Sequence, residues 1–170
     1  MHLNIEIKAQ CPDPDQIRQI LLAHQADFRG VDHQIDTYFK VANGRLKLRE
    51  GNIENHLIHY ERSDQAGPKA SHVSLFKTEP DSSLKTLLTK ALGILVVVDK
   101  QRGIYFIDNV KFHIDQVQDL GVFVEIEAID ADGTIGQDRL LEQCHHYINL
   151  LGIDETQLLQ RSYSDLLIEK

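Results

Sequence analysis

The stretch Phe123-Val124-Glu125-Ile126-Glu127 decides how the rest of the chain is interpreted. Side chains alternate between the two faces of a β-strand, so Glu125 and Glu127 share one face while Val124 and Ile126 share the other. The two carboxylates then lie roughly 6.6 Å apart along the strand and repel each other unless a cation or basic groups lie between them. A surface strand in water can carry such a pair as well, so this stretch alone leaves both interpretations open.

A second strand of this kind lies near the start of the chain. The segment Asn4-Ile5-Glu6-Ile7-Lys8 repeats the alternation and puts Asn4, Glu6 and Lys8 on one face. Between the two acidic strands, the segment Arg45-Leu46-Lys47-Leu48-Arg49 places three bases on one face, which is repulsive unless the bases meet water or anions. This layout indicates a metal ion bound by acids beside an anion bound by bases.

The composition is that of an ordinary globular protein, with 42% hydrophobic and 26% charged residues. A length of 170 residues predicts one domain spanning 1–170. No apolar run approaches the roughly 20 residues that cross a bilayer, and the N-terminus lacks a signal-peptide pattern, so we expect no membrane partner. Cys11 and Cys144 are too few for a disulfide framework, and a reduced cytoplasm is the expected location.

The distribution of charge is more informative than its sum. The net charge of -8 argues against a general nucleic-acid binder. Residues 45–111 nevertheless hold 11 Lys and Arg against 8 Asp and Glu, while the remainder holds 7 against 18. A basic middle within an acidic chain favours an enclosed anion site over an exposed patch for a polymer.

Turn signals divide the chain into short strands and helices. Asn43-Gly44 is the strongest hairpin signal, and Gly103 is predicted to be a turn. The predicted strands cover about 3–9, 31–41, 45–49, 57–62, 71–77, 94–102, 104–107, 110–117 and 123–127. The predicted helices cover about 15–26, 81–92, 137–151 and 162–168.

Charges in the same phase on so many strands favour an α+β fold built on a closed antiparallel β-barrel with a polar interior. The helices would then cover the apolar outer face.

The order of these motifs resembles the CYTH superfamily of triphosphate tunnel enzymes, named for its class IV adenylyl cyclase and thiamine triphosphatase members. The resemblance covers roughly residues 3–130, with a similar tail around residues 162–166. It rests on Asn4-Ile-Glu-Ile-Lys8, Gly44-Arg-Leu-Lys-Leu-Arg49, Tyr60-Glu-Arg62, Lys77, Asp99-Lys-Gln-Arg102, His113-Ile-Asp115 and Glu125-Ile-Glu127. These segments are most similar to those of bacterial class IV adenylyl-cyclase-like proteins.

The resemblance implies a closed eight-stranded antiparallel barrel around a triphosphate, and a possible homodimer. It implies that Mg²⁺ or Mn²⁺ is bound by Glu6, Glu125 and Glu127. The implied substrate-binding residues are Lys8, Lys47, Arg49, Arg62, Lys77, Lys100, Arg102 and His113, although a solvated strand face also accounts for such bases. Lys8 and Asp115 are the implied catalytic residues, and for Asp115 a cross-strand pairing with Arg or Lys stays open.

Three functions are compatible with these residues. The first is a class IV adenylyl cyclase that converts ATP to cyclic AMP and pyrophosphate. The second is hydrolysis of inorganic or thiamine triphosphate, and the third is a sensor that binds triphosphate or polyphosphate without turnover.

Two positions depart from the family pattern. Asn4 replaces the first glutamate of Glu-x-Glu-x-Lys, which removes one negative charge from the metal site, and His113 stands where a base such as Arg is typical.

Overall fold

The computed structural model describes residues 2–170, which form a barrel of eight strands with four flanking helices. The strands are β1 (His2–Gln10), β2 (Asp27–Phe39), β3 (Arg45–Glu50), β4 (Asn55–Arg62), β5 (Lys69–Lys77), β6 (Ile94–Ile107), β7 (Val110–Val117) and β8 (Gly121–Asp130). The helices are α1 (Pro14–Ala23), α2 (Leu84–Leu92), α3 (Gln137–Leu150) and α4 (Tyr163–Ile168). Around the barrel the strand order is β1, β5, β4, β3, β2, β6, β7, β8, and every pairing is antiparallel. The predicted closed eight-stranded barrel with flanking helices is confirmed.

The barrel turns polar strand faces inward and apolar faces outward. On β1, Glu6 lines the interior, whereas Ile7 is buried on the outside. Helices α1 and α3 cover this side, where Leu21 and Leu140 join Ile7 and Phe112 in one apolar cluster. Burying such a side chain contributes about 1.5–3 kcal/mol, so this cluster between the barrel and its helices is a main part of the hydrophobic core. A second buried cluster includes Tyr38, Ile58 and Tyr163, which line the interior.

The other helices have different surroundings. None of the nine residues of α2, all of them described, is fully buried, and this flank leaves Phe76 and Leu95 exposed. Helix α4 begins with a capping box, in which the Ser162 side chain accepts a hydrogen bond from the Asp165 backbone N–H and the Asp165 side chain accepts one from the Ser162 backbone. Within residues 2–170, no helix combines the length and the apolar composition needed to cross a membrane.

Two predicted boundaries were wrong. Gly103 is not a turn: β6 runs unbroken through it, and Gly103 pairs with Ile114 on β7. A Cβ at this position would lie 3.3 Å from the Tyr105 ring, so the glycine makes room for that ring. Strand β2 begins at Asp27 rather than near Val31, because Gly30 lies in a bulge of the strand with φ +119°.

Adjacent leucines on α3 provide a test of where the core lies. Leu140 is fully buried between α3 and the barrel, while Leu141 is 37% exposed. We expect Leu140→Ala to lower the free energy of unfolding by about 3 kcal/mol, because it leaves a cavity in a packed core. Leu141→Ala should change it by no more than about 0.5 kcal/mol. Urea denaturation measures both values, and equal losses would contradict a core between α3 and the barrel.

Candidate active site

Charged side chains from seven of the eight strands meet in a cavity of about 170 Å³ inside the barrel, to which β5 adds Ser71, Val73 and Leu75. Ten of the residues that the sequence assigned to substrate or metal line it: Glu6, Lys8, Lys47, Arg49, Arg62, Lys100, Arg102, His113, Glu125 and Glu127. Each of them occupies the inward phase of its strand, which explains why they converge. The structure therefore brings most of the assigned residues together, while the role of each stays a prediction.

Lys77 is a predicted substrate-binding residue that does not line the cavity. It ends β5, pairs with His56 across the sheet and is exposed. It shares the strand phase of Leu75, but Leu75 is already 50% exposed, so β5 has reached the rim of the barrel at this point. Strand phase gave the correct face of Lys77, but the enclosed part of the barrel ends before it.

Asp115, a predicted catalytic residue, lies behind the cavity wall and is fully buried. The Arg102 Nε and Nη2 atoms each donate to one of its carboxylate oxygens at 2.7 Å, and the Tyr163 hydroxyl donates to Oδ2 at 2.7 Å. Burial alone would raise the pKa of Asp115, but Arg102 outweighs it and lowers the pKa. The arrangement favours the alternative left open by the sequence, in which Asp115 is the cross-strand partner that positions Arg102.

Two glutamates face each other at one side of the cavity. Glu6 on β1 is directly opposite Glu127 on β8. Arg62 Nη1 donates to Glu6, and Asn4 Nδ2 donates to Glu127. Burial raises the pKa of Glu127 to about 7, and the neighbouring carboxylates of Glu6 and Glu125 act in the same direction. A cation between these carboxylates would relieve their repulsion.

Glu125 is more completely paired than the other two acids. Its Oε1 atom lies 3.0 Å from Lys8 Nζ and 3.4 Å from Arg102 Nη2, and its Oε2 atom lies 3.1 Å from His113 Nδ1. Burial alone would raise the pKa of Glu125, but Lys8 and Arg102 hold it well below its usual range. Glu125 is therefore an ionised carboxylate that is already bound on both oxygens.

Asp36 is a central residue that sequence reasoning missed. Its carboxylate accepts hydrogen bonds from Arg49 Nε at 2.9 Å, Arg49 Nη2 at 2.8 Å, Lys47 Nζ at 3.1 Å and Lys100 Nζ at 2.7 Å. Burial opposes ionisation, but these three bases hold the pKa of Asp36 well below its usual range. The sequence contained the information needed to place Asp36, because the hairpin that Asn43-Gly44 predicts pairs Asp36 with Arg49. The phase of β2 was not assigned from the sequence.

Glu54 and Lys111 were missed as well. Glu54 lies on the turn between β3 and β4, and its carboxylate binds Lys111 Nζ and lies 3.6 Å from Arg49 Nη1. The turn is held by the buried carboxylate of Asp32, which accepts from the backbone N–H groups of Ile53 at 2.9 Å and Glu54 at 3.0 Å. A loop thus contributes an acid to the cavity, and no strand periodicity could have indicated it.

The segment before and within α4 closes one end of the cavity, hereafter the closed end. Tyr163 is buried there, with Lys8 Nζ 3.9 Å from its ring centroid and Phe123 at 5.1 Å between ring centroids. Arg45 holds the segment by donating to Ser162 Oγ at 2.7 Å and Asp165 Oδ2 at 2.9 Å. The opposite end of the barrel is the open end, where His2, His56, Leu75 and Ile129 line the cavity.

Three buried side chains around the cavity have polar atoms without a hydrogen-bond partner. They are Asn4 Oδ1, the Nε and Nη2 atoms of Arg62, and His113 Nε2. Leaving such groups unpaired costs about 1–3 kcal/mol each, so these atoms are candidate contacts for a ligand or for ordered water. The Arg62 nitrogens suit an anion, and Asn4 Oδ1 with the carboxylates of Glu6 and Glu127 offers the oxygen ligands that Mg²⁺ and Mn²⁺ prefer.

The donor set fits a divalent cation, although it is not a preformed cage. Among residues 2–170, no three His, Cys, Asp or Glu side chains are close enough together to hold a metal ion. Arg62 and Lys8 separate the carboxylates by forming ion pairs with Glu6 and Glu125. Mg²⁺ commonly binds through one or two carboxylates together with substrate phosphates, and that mode matches the arrangement here.

The raised pKa of Glu127 predicts a pH-dependent stability. Below pH 4.5 the carboxyl is protonated in both folded and unfolded chains, and as pH rises through about 7 the folded protein must bury a second charge beside Glu6. We expect the melting temperature of Glu127→Gln, measured without divalent cations, to rise relative to wild type between pH 5 and pH 8. Glu142→Gln, a change at an exposed glutamate of α3, is the matched control and should show no such trend. If the melting temperatures of Glu127→Gln and wild type differ by the same amount at pH 5 and at pH 8, the raised pKa of Glu127 is contradicted.

Comparisons with known proteins agree with this architecture. The model of the CYTH domain family matches residues 2–163. A protein named as a candidate adenylate cyclase in Methanocaldococcus jannaschii is 25% identical, over 96% of this chain and 98% of its own length. The solved structure of the PH1012 protein from Pyrococcus horikoshii superposes with a TM-score of 0.80 at 23% identity, covering 98% of this chain and 99% of that one.

A plant structure shows the same fold at lower similarity. The candidate adenylyl cyclase of Hippeastrum has a TM-score of 0.62 at 13% identity, over 99% of this chain and 95% of the other. Its described activity is dominantly that of a triphosphatase. At this identity the likeness concerns the fold alone.

Since the family model spans nearly the whole chain and the barrel is of the expected type, the chain belongs to the CYTH domain family.

Proposed function

We propose that the protein is a divalent-metal-dependent enzyme that binds the triphosphate group of its substrate inside the barrel. The observation that carries the proposal is the guanidinium of Arg62, whose Nε and Nη2 atoms are buried and unpartnered in the cavity wall. Seven Lys and Arg residues line the cavity against five Asp and Glu residues, so the interior keeps an excess of positive charge. Such an interior suits a polyanion that brings its own metal ion.

The two ends of the barrel orient this substrate. At the closed end, Tyr163 is buried beside Lys8 and Phe123, and the bases bound to Asp36 and Asp115 include the buried Lys100 and Arg102. The open end is lined by two imidazoles and by the apolar side chains of Leu75 and Ile129. These side chains suit an organic group such as a nucleobase, so the triphosphate points inward and the organic group stays at the open end.

With ATP bound in this way, cyclisation is the reaction that we place first. The ribose 3′ hydroxyl gives its proton to water, its oxygen bonds to the α-phosphorus, and the bond from that phosphorus to the bridging oxygen breaks to release pyrophosphate. Lys47, Arg49 and Lys100 would stabilise the charge that develops on pyrophosphate, since they already surround one carboxylate. The name of the Methanocaldococcus jannaschii relative supports this reaction.

Hydrolysis of a triphosphate is the second candidate. The cavity of about 170 Å³ is small and closed at one end, which suits a bare triphosphate chain, inorganic or attached to thiamine. The activity described for the Hippeastrum protein supports this alternative. Lys8, placed between Glu125 and the ring of Tyr163, would orient a phosphate oxygen in either reaction.

The metal ion would be held by Glu6, Glu127 and Asn4 Oδ1, and the sequence also assigned Glu125 to it. When bound, Mg²⁺ or Mn²⁺ supplies charge neutralisation for the phosphate oxygens. The chain's own contribution is to hold the triphosphate in line with the attacking oxygen. A homodimer and a cytoplasmic location stay predictions from the sequence.

A product assay tests the proposed reactions. Purified protein with Mg²⁺ or Mn²⁺ is given ATP, thiamine triphosphate or inorganic triphosphate, and the products are separated by chromatography. Cyclic AMP with pyrophosphate indicates cyclisation, whereas orthophosphate indicates hydrolysis. Binding without any product would favour the sensor and contradict an enzyme. Absence of triphosphate binding with either metal would contradict the whole proposal.

Arg62 and Lys77 form a matched pair for the phosphate contacts. Arg62→Gln keeps an amide donor for Glu6 but removes the charge and the unpartnered nitrogens, so the Kd for inorganic triphosphate should rise roughly 10- to 100-fold. Lys77→Gln changes an exposed base on the rim and should leave the Kd within about twofold of wild type. Isothermal titration calorimetry measures both Kd values. If Lys77→Gln raises the Kd as much as Arg62→Gln does, Lys77 contacts the phosphates directly.

A further inference from the structure

His113 is buried in the wall of the cavity with one ring nitrogen satisfied and the other free. The side chain is on β7 and is 2% exposed. Its Nδ1 atom lies 3.1 Å from Glu125 Oε2, while Nε2 is buried without a hydrogen-bond partner. The ring therefore has one unsatisfied nitrogen, and His113 lines the same cavity as Glu6 and Glu127.

The partner at Nδ1 determines the state of the free nitrogen. An ionised carboxylate only accepts hydrogen bonds, so the proton of the neutral ring is on Nδ1 and Nε2 carries a lone pair. In that tautomer Nε2 offers a lone pair, which suits a metal ion, and the phosphate-binding role assigned to His113 from the sequence stays a prediction.

Glu125 and His113 together have the arrangement of a supported metal ligand. Both oxygens of Glu125 are occupied by Lys8, Arg102 and His113, which leaves Glu125 less available to a cation than Glu6 or Glu127. A metal-binding imidazole commonly donates its other N–H to a carboxylate, which fixes the tautomer and increases the basicity of the ligating nitrogen. The pair here already has that hydrogen bond and that free nitrogen.

We propose that His113 Nε2 is a nitrogen ligand for the divalent cation that enters with the triphosphate, with Glu125 supporting it from behind, and that the tunnel consequently prefers Mn²⁺ to Mg²⁺. This inference rests on the proposed function. Mg²⁺ favours an all-oxygen shell, whereas first-row transition metals accept imidazole as well as carboxylate. The nitrogen would add a donor atom to a site where Asn4 replaces one carboxylate of the family's acidic motif.

Electron spin-echo spectroscopy of bound Mn²⁺ tests the ligand directly and needs no turnover. The probe is Mn²⁺ with a triphosphate whose bridges are methylene groups, bound to wild-type protein carrying either ordinary or ¹⁵N-labelled histidine. We expect a nitrogen coupling that changes with the label, that disappears in His113→Gln and that persists in His56→Gln. His56 is the matched control, since it also lines the cavity but lies at the open end. Bound Mn²⁺ without any histidine coupling in the wild type would overturn the proposal.

Calorimetry gives an independent readout. The Kd of Mn²⁺ in the presence of the methylene-bridged triphosphate should rise at least about tenfold in His113→Gln, while that of Mg²⁺ should change by less than about threefold. Without metal, the same variant should bind triphosphate as the wild type does. Weaker metal-free binding would overturn the inference by showing that His113 is a phosphate donor. If the wild-type protein binds no triphosphate with either metal, the proposed function itself is contradicted. If it binds triphosphate but shows no preference for Mn²⁺ over Mg²⁺, only the inference about His113 is contradicted.

Discussion

Charge pairing inside a confined barrel is the constraint on which the rest of the structure depends. Like charges a few ångströms apart and away from water repel by several kcal/mol, so a barrel lined with bases needs internal acids to fold without a ligand. Asp36 meets three bases, Asp115 holds Arg102, and Glu54 holds Lys111. These acids spread the bases around the wall at separations set by the strands.

The same pairing determines what is left for a ligand. If every donor and acceptor were satisfied, binding an anion would only exchange one set of contacts for another. Instead, the guanidinium of Arg62, the amide oxygen of Asn4 and Nε2 of His113 have atoms that the protein itself does not satisfy. Such atoms are costly when buried, and the cost is recovered when a ligand arrives. The unpaired atoms that line the cavity therefore add to what its charges indicate about a ligand.

The sequence predicted the barrel and most of the cavity wall because strand periodicity is local. Glu6, Arg49, Lys100 and Glu127 face inward for the same reason that their neighbours face outward. Glu54 could not be predicted in this way, because its direction depends on Asp32, more than twenty positions earlier, which accepts from the turn's backbone.

The limits of periodicity appear at other positions as well. The free nitrogen of His113 depends on which atom Glu125 occupies, and strand phase says nothing of individual atoms. At Lys77 the phase was right, but the length of the enclosed barrel is a tertiary property. At Gly103 a small residue that usually marks a turn instead made room for an aromatic ring.

The segment that closes the barrel follows all eight strands in the chain. Leu159 N–H donates to the carbonyl of Lys8 at 2.9 Å, Lys69 Nζ donates to the carbonyl of Gln160, and Arg45 holds Ser162. Because a chain leaves the ribosome from its N-terminus, the strands can pair while this segment is still being synthesised. A barrel formed in that order would be a channel open at both ends. It becomes a pocket with a floor only when Tyr163 arrives and donates its hydroxyl to Asp115.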